Sequence, residues 1–448
     1  MNELAGAAAP RRKAPKRIAA ALLNSLRGGV VPRVGLEYVT VGRQAEINAL
    51  LRDVDFIADG GATFRFIVGR YGAGKSFLLQ TIRNYVMEKR FVVLDCDLSP
   101  ERRFCGARGQ GLATYKELVR NMSTRTKPDG GALPLVLEKW LSTIQISVAG
   151  QGIEPQSPGF EAAVQREIYS VIHAMEDMVH GFDFGQALAR YWQATRQGDE
   201  EEKSKVLRWF RGEYATKTQA KQALGINLIV HDDNWYDFLK LFSTFLVQAG
   251  YAGMVIMVDE LVNIYRIPHR VTRQYNYEKI LAMYNDMLQG KAKHIGVFMC
   301  ATPQALEDSD KGIFSYDALR SRLAEGRFST PGARDLLAPI IRLEPLSFEE
   351  LMVLTEKLAA LHADLYGYAC DITQEEYVQF LKVEFERIGA VTHITPREVI
   401  RDFVELLNLA HQPNGPSIGE ILRESGFDFG KSEQVEEGLH AEFAAFEV

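Results

Sequence analysis

An apolar stretch, Phe64-Arg65-Phe66-Ile67-Val68, ends in Gly69-Arg70-Tyr71-Gly72-Ala73-Gly74-Lys75-Ser76, and the helix-forming Phe77-Leu78-Leu79-Gln80-Thr81-Ile82 follows directly. A strand, a Gly-x-x-x-x-Gly-Lys-Ser turn and a helix, in that order, is what a phosphate-binding loop requires. The glycines let the backbone wrap a triphosphate, so that successive N–H groups and the helix N-terminus face anionic oxygens. Lys75 brings a cation to the β- and γ-phosphates, and the Ser76 hydroxyl is a ligand for Mg²⁺. Gly69, Tyr71, Gly72, Ala73, Gly74, Lys75, Ser76 and Phe77 are therefore the expected nucleotide contacts. A second chemical signal lies far downstream. Met254-Val255-Ile256-Met257-Val258-Asp259-Glu260 is an apolar run ending in two carboxylates. A strand of this kind is buried on both faces, as in a parallel sheet covered by helices. Asp259 at its carboxyl end can hold the Mg²⁺ shell, and Glu260 can polarise an attacking water. Phosphoryl transfer asks the protein mainly for positioning, and a Glu beside the Asp favours hydrolysis over binding alone.

These residues need a sheet to carry them. A helix over 77–82 and a second apolar run, Phe91-Val92-Val93-Leu94-Asp95, make a βαβ unit with a parallel crossover. Asp97 and Glu101 follow that strand, on the edge that faces ligand in open α/β sheets. Ile295-Gly296-Val297-Phe298-Met299-Cys300-Ala301-Thr302-Pro303 reads as a fourth buried strand with Thr302 its terminal polar residue, and Pro339-Ile340-Ile341-Arg342-Leu343 as a fifth. Between the second strand and the acidic one the sheet pattern disappears. Helical spacing appears over 113–122, 133–143, 160–179, 184–195, 203–210 and 235–248, so 100–250 is expected to be a mainly helical insertion. Arg102, Arg103, Arg108, Arg120, Arg208 and Arg211, with Tyr214, mix positive charge and aromatics there, which suits a nucleic-acid or partner surface. From Ser347 the chain is helical again. Thr395 at N-cap and Pro396 at N1 signal a late helix start.

With 448 residues, 46% apolar and 25% charged, the chain has the composition of a globular protein of several domains. No apolar run approaches the ~20 residues of a membrane span. The N-terminal Arg11-Arg12-Lys13 cluster precedes no apolar segment, so no secretory leader is expected. Four cysteines, Cys96, Cys105, Cys300 and Cys370, lack metal-type spacing and read as reduced thiols of a cytoplasmic protein. A net charge of −6 argues against non-specific coating of nucleic acid by the whole surface, though a local basic face remains open.

Val41-Gly42-Arg43 leading into a helix over 44–58 resembles the adenine-capping segment of AAA+ proteins of the origin-recognition group. Several further residues stand in the order that resemblance implies. Thr302 falls at sensor 1, which reaches the γ-phosphate or the water. Arg322, in Ser321-Arg322-Leu323, falls at the arginine finger that a neighbouring subunit receives, with Arg320 and Arg327 as rivals. Arg397, after Pro396, falls at sensor 2 on a helical lid. Longer signatures reach across the chain: Leu98-Ser-Pro-Glu-Arg102, Gly109-Gln-Gly-Leu-Ala-Thr-Tyr115, Asp232-Asp-Asn-Trp-Tyr236, Asp259-Glu-Leu-Val-Asn263 and Ser315-Tyr-Asp-Ala-Leu-Arg-Ser-Arg-Leu323. Over nearly its whole length the chain resembles the BREX phage-defence ATP-binding protein family, BrxD type. The resemblance implies an AAA+ ATPase encoded beside DNA-handling proteins, including a large helicase, in anti-phage loci.

The expected architecture is α/β: an AAA+ P-loop NTPase with a five-stranded parallel sheet, a large helical insertion and an α-helical lid. Its expected divisions are a basic arm and helix (1–37), the first part of the core (38–99), the insertion (100–250), the second part of the core (251–346), the lid (347–412) and an acidic tail (413–448). The expected function is ATP hydrolysis with Mg²⁺ coupled to DNA, single- or double-stranded, or to a helicase partner. A homo-oligomer follows from a finger supplied in trans. The alternative is a nucleotide-switched signalling or scaffold protein with incidental turnover.

Overall fold

The computed structural model describes residues 13–155, 157–324, 334–388 and 394–423. Arg11, Arg12, the rival finger Arg327 and the tail from 424 onward lie outside the described residues.

The apolar runs become a parallel sheet. Its strands are β1 (Ala62–Val68), β2 (Val92–Asp97), β3 (Met254–Asp259), β4 (Ile295–Ala301) and β5 (Ile340–Arg342), in the order β2-β3-β4-β1-β5. Every residue of β4 and the first five of β3 are buried, as strands covered on both faces must be. β1 buries a charge among its apolar residues, Arg65. Its guanidinium makes two bonds of 2.6 and 2.7 Å to Asp53 and also donates to the carbonyls of Leu337 and Ala338. A buried cation persists in a strand only when it is paired and hydrogen-bonded in this way.

The helices are α1 (Lys16–Arg27), α2 (Gln44–Ala58), α3 (Lys75–Glu88), α4 (Gln110–Arg120), α5 (Leu133–Gly150), α6 (Pro158–Glu176), α7 (Gly181–Gln197), α8 (Glu200–Phe210), α9 (Lys217–Leu224) and α10 (Trp235–Gln248). After the acidic strand come α11 (Val262–Tyr265), α12 (Arg270–Leu288), α13 (Pro303–Glu307), α14 (Asp317–Leu323), α15 (Phe348–Tyr366), α16 (Gln374–Ile388), α17 (Pro396–Ala410) and α18 (Ile418–Arg423). None is long and apolar enough to cross a membrane, among the described residues.

By packing, the chain divides into two compact units. One comprises Glu46–Gly69 and Ile82–Arg342, hence the sheet and the insertion. The insertion has no core of its own. Phe184 meets Phe210, Phe242 and Phe245 at centroid separations of 5.0, 5.2 and 6.0 Å, and this cluster runs without a break into Val92, Leu94 and Met254 of the sheet. The Asp232-to-Tyr236 signature supplies the joint. Asp232 accepts from Leu112 N at 2.8 Å in the first turn of α4, and Trp235 Nε1 donates to Phe104 O at 3.0 Å. Carboxylate capping and a buried indole bond therefore account for a signature that gave no chemical hint in sequence.

The other unit comprises Met1–Ala45, Arg70–Thr81 and Leu343–Val448. Its core joins Leu22, Leu23 and Leu26 of α1 to Leu354 and Leu358 of α15 and Phe403 and Leu407 of α17. The N-terminal helix α1 thus packs with α15 and α17.

Candidate functional site

In the sheet unit, parallel pairing brings the chemistry to one edge. Gly69 N donates to Ala301 O at 3.1 Å, so the chain leaves β1 beside the end of β4. Thr302 follows there. It is 8% exposed, and its Oγ1 accepts from Ala305 N at 3.2 Å, capping α13. A hydroxyl that accepts in a cap still has its proton to donate.

β3 ends on the same edge with Asp259, in register with Asp97 of β2. Glu260 is one of few non-glycine residues with left-handed backbone, at φ 59°. That conformation costs a non-glycine residue about 1–2 kcal/mol and persists only where neighbours enforce it. Here Glu260 N donates to Asp259 Oδ1 at 2.7 Å, while Asn263 N and Nδ2 both donate to Glu260 O. Asn263 Nδ2 also reaches Leu98 O at 2.9 Å. The turn aims Glu260 out of the strand rather than continuing it.

Asp95, Asp97, Asp259 and Glu260 share this edge, and the electrostatics register it. Burial, then the charge of Asp259, then those of Asp95 and Glu260, raise the Asp97 carboxyl above its ordinary 3.8, with Arg102 opposing. A carboxyl whose folded pKa is raised costs nothing below its unfolded pKa and destabilises the fold as pH rises through the shifted range. Asp97→Asn is therefore expected to gain stability over the native chain as pH rises from the acid range to neutrality. Thermal melts of both proteins across that range test it, and a difference independent of pH would refute it. Among the described residues, no three or more His, Cys, Asp or Glu side chains form a metal cluster, so a divalent ion here would draw on other donors.

The remaining candidate, Arg322, is exposed on α14, where its Nη1 donates to Ala318 O at 2.7 Å. Its rival Arg320 is paired with Asp317 at 2.6 Å. Neither belongs to the strand-end group.

The phosphate loop falls in the other unit from Arg70 onward. Gly72 and Gly74 have φ of 76° and 93°. A Cβ on Gly74 would meet nothing within 4 Å, leaving an open cradle of backbone at the start of α3. A Cβ on Gly72 would lie 2.6 Å from Thr395 Oγ1, so this glycine is what admits the N-terminus of α17 to the loop. Thr395 and Glu398 form a capping box there, and Arg397 is exposed in the helix's first turn. Lys75 Nζ donates to Arg70 O at 2.9 Å and lies 5.5 Å from the centre of the exposed Tyr71 ring. Ser76 is the second residue of α3, and Phe77 packs on the helical core.

Val41-Gly42-Arg43 belongs to this same group. Arg43, 7% exposed, donates to Ala73 O at 3.3 Å and to Glu344 O at 2.9 Å. Gly42 has φ 66°, with Glu350 and Leu346 packed against it, and Lys357 Nζ donates to Thr40 O at 2.7 Å. Burial lowers the Lys357 pKa. The backbone cradle, a lysine at its mouth and a hydroxyl on the first turn fit a nucleoside triphosphate.

Asn263 and the Gly72–Thr395 approach were not legible as site features in sequence. Each depends on a partner more than a hundred residues away. Asp97 was legible as an acid beyond a strand, but not as the cross-strand neighbour of Asp259.

Among curated proteins none matches the chain. A family model matches residues 14–425, spanning both the cradle and the acidic strand edge, and by that match the chain belongs to the BREX system ATP-binding protein BrxC/D family, which makes it an ATP-using protein of phage defence.

Proposed function

We propose that the protein is an AAA+ ATPase of the BrxD type that hydrolyses ATP with Mg²⁺ and couples turnover to DNA or to a DNA-acting partner such as a helicase. The observation that carries this reading is Glu260, held in a left-handed turn directly after Asp259 at the carboxyl edge of the sheet. A carboxylate fixed in that strained position is suited to take a proton from water.

In this reading the backbone from Gly69 to Ser76 binds the phosphates, and Lys75 leaves Arg70 O and the Tyr71 face to meet them. Arg43 positions the loop through Ala73 O, and Val41 and Gly42 flank the base. Ser76 and Asp259 would hold Mg²⁺, which supplies neutralisation of charge on the phosphate oxygens. Glu260 accepts the proton of the attacking water as the new oxygen–phosphorus bond forms and the β–γ bridging bond breaks, with ADP leaving. Thr302 donates its hydroxyl proton to water or phosphate while its oxygen caps α13. Arg397 reads the phosphates from a helical lid over 347–412, and Arg322 stabilises charge at a neighbouring subunit's site in a homo-oligomer. The proposed divisions are those of the sequence, and the proposed location is the cytoplasm.

The test is turnover of ATP by the purified protein with Mg²⁺, alone and with single- or double-stranded DNA. Turnover raised severalfold by DNA is the expected result. Turnover indifferent to DNA would favour the nucleotide-switched scaffold, and none at all would refute hydrolysis.

A further inference from the structure

The turn that carries Glu260 is held by a side chain that also holds the chain after β2. Asn263 N donates to Glu260 O at 3.0 Å, and the Asn263 side-chain amide donates to the same oxygen at 3.3 Å and to Leu98 O at 2.9 Å. An amide nitrogen carries two protons, so one side chain serves both acceptors. Leu98 is buried, and its own N donates to Asp259 O at 3.1 Å. The loops after β2 and β3 thus meet on either side of Leu98, and one of the two links is a single side chain.

Leu98 opens the root of the insertion. Ser99 and Arg102 exchange backbone bonds of 3.0 and 3.2 Å in a tight turn, and Arg102 Nε donates back to Asp97 O at 3.0 Å. At the far end Phe104 N and Cys105 N donate to Asn276 Oδ1 at 2.9 and 3.1 Å, with Asn276 buried on α12. Phe104 O accepts from Trp235 Nε1 at 3.0 Å, and the two rings stack with 6.3 Å between centroids. Trp235 begins α10, which also carries Phe242 and Phe245 of the insertion's aromatic cluster. Residues 98–105 therefore run from the turn of Glu260 to the packed insertion, with both ends fixed by side-chain bonds. A buried acceptor stripped of its donor is costly, so a short loop held this way shifts when one of its bonds is removed.

We propose that Asn263 is the positioning residue of Glu260 and that, through Leu98, it makes the aim of that glutamate depend on how the root of the insertion is held. A left-handed backbone at a non-glycine residue persists only where neighbours enforce it, and Asn263 supplies that enforcement at Glu260 O. Movement of residues 98–105 draws the Asn263 amide away from Glu260 O, and the proton acceptor moves with its backbone. The inference deepens the hydrolysis reading and rests on it for the effect on turnover, whereas the tie between the two loops needs no nucleotide.

Two variants of the full chain test it. Asn263→Leu keeps the bulk of the side chain and removes both of its side-chain donors. Its kcat is expected to fall about 10- to 100-fold, the scale of a misplaced catalytic group, with KM and the Kd of a fluorescent ATP analogue within about twofold of native. A role in folding alone would lower the melting temperature and leave kcat per folded molecule unchanged. Trp235→Phe is the milder change, keeping a ring on Phe104 while removing the donor to Phe104 O. It is expected to lower kcat severalfold, and in the double variant to add nothing to Asn263→Leu, because the link it acts through is already cut. Hydrogen exchange without nucleotide reads the tie directly: in Asn263→Leu, peptides spanning 96–105 and 257–265 should both exchange faster than in the native chain. Native kcat in Asn263→Leu, losses that multiply in the double variant, or unchanged exchange over 96–105 would each overturn the proposal. No turnover by the native chain, with exchange rising in both peptides, would refute hydrolysis and leave the tie between the loops standing.

Discussion

Glu260→Gln is expected to bind ATP as tightly as the native chain and to turn it over about two to four orders of magnitude more slowly. The amide keeps the size of the side chain and the left-handed backbone at φ 59°, so the hydrogen bonds from Asn263 N and Nδ2 to residue 260 are retained. What it loses is the capacity to accept a proton from water. Lys75→Ala is the complementary change. It removes the loop's lysine while leaving the backbone of Gly72 and Gly74 unchanged, and ATP binding is expected to be abolished. Equilibrium binding of a fluorescent ATP analogue, beside steady-state turnover, separates the two. Equal turnover in the native chain and Glu260→Gln would sink the assignment of Glu260 as the base.

The largest expected effect on stability lies away from the nucleotide. Asp53 and Arg65 form a bidentate pair with side chains 12% and 7% exposed, and Arg65 also holds the carbonyls of Leu337 and Ala338 ahead of β5. Asp53→Ala would leave a guanidinium buried in the middle of β1 with its charge uncompensated, at a cost of about 3–5 kcal/mol. Adding Arg65→Met should recover much of that loss, because replacing both partners of a buried pair with apolar groups is often close to neutral. Denaturant midpoints of the two variants and the native chain decide the matter. A loss under about 1 kcal/mol for Asp53→Ala would show that the pair is more solvated than its exposure implies.

A second ion pair acts on the same helix, with Glu46 buried and the Arg334 side chain 32% exposed. Arg334 donates to Glu46, which is 1% exposed, so α2 holds the chain ahead of β5 through residues at both ends of two turns. The pairings explain why an arginine sits inside an otherwise apolar strand. In sequence Arg65 was only an interruption in an apolar run.

The five strands were legible because each is a short apolar run, and burial on both faces leaves no polar alternation to confuse the pattern. The phosphate loop was legible because glycines and a Lys-Ser pair at fixed spacing are local requirements. The start of α17 was legible in Thr395 and Pro396, since caps act within one turn. Helix limits were less so. α9 is only eight residues long and polar, with Thr216 as its cap, so its helical pattern is faint. α12 begins at Arg270, where Arg273 and Asn276 are buried by bonds to distant loops rather than by apolar character.

By itself, then, the sequence determined what a few neighbouring residues can do: bind phosphate, end a strand in acids, begin a helix. The tertiary structure alone decided which of those pieces meet. The strand order places Asp97 opposite Asp259, Gly72 admits Thr395, and α1 joins helices more than three hundred residues away. The reason is physical. Local patterns are set by backbone geometry over a few residues, whereas pairings between distant segments are chosen by the burial and hydrogen bonding of the whole fold, which no short stretch encodes.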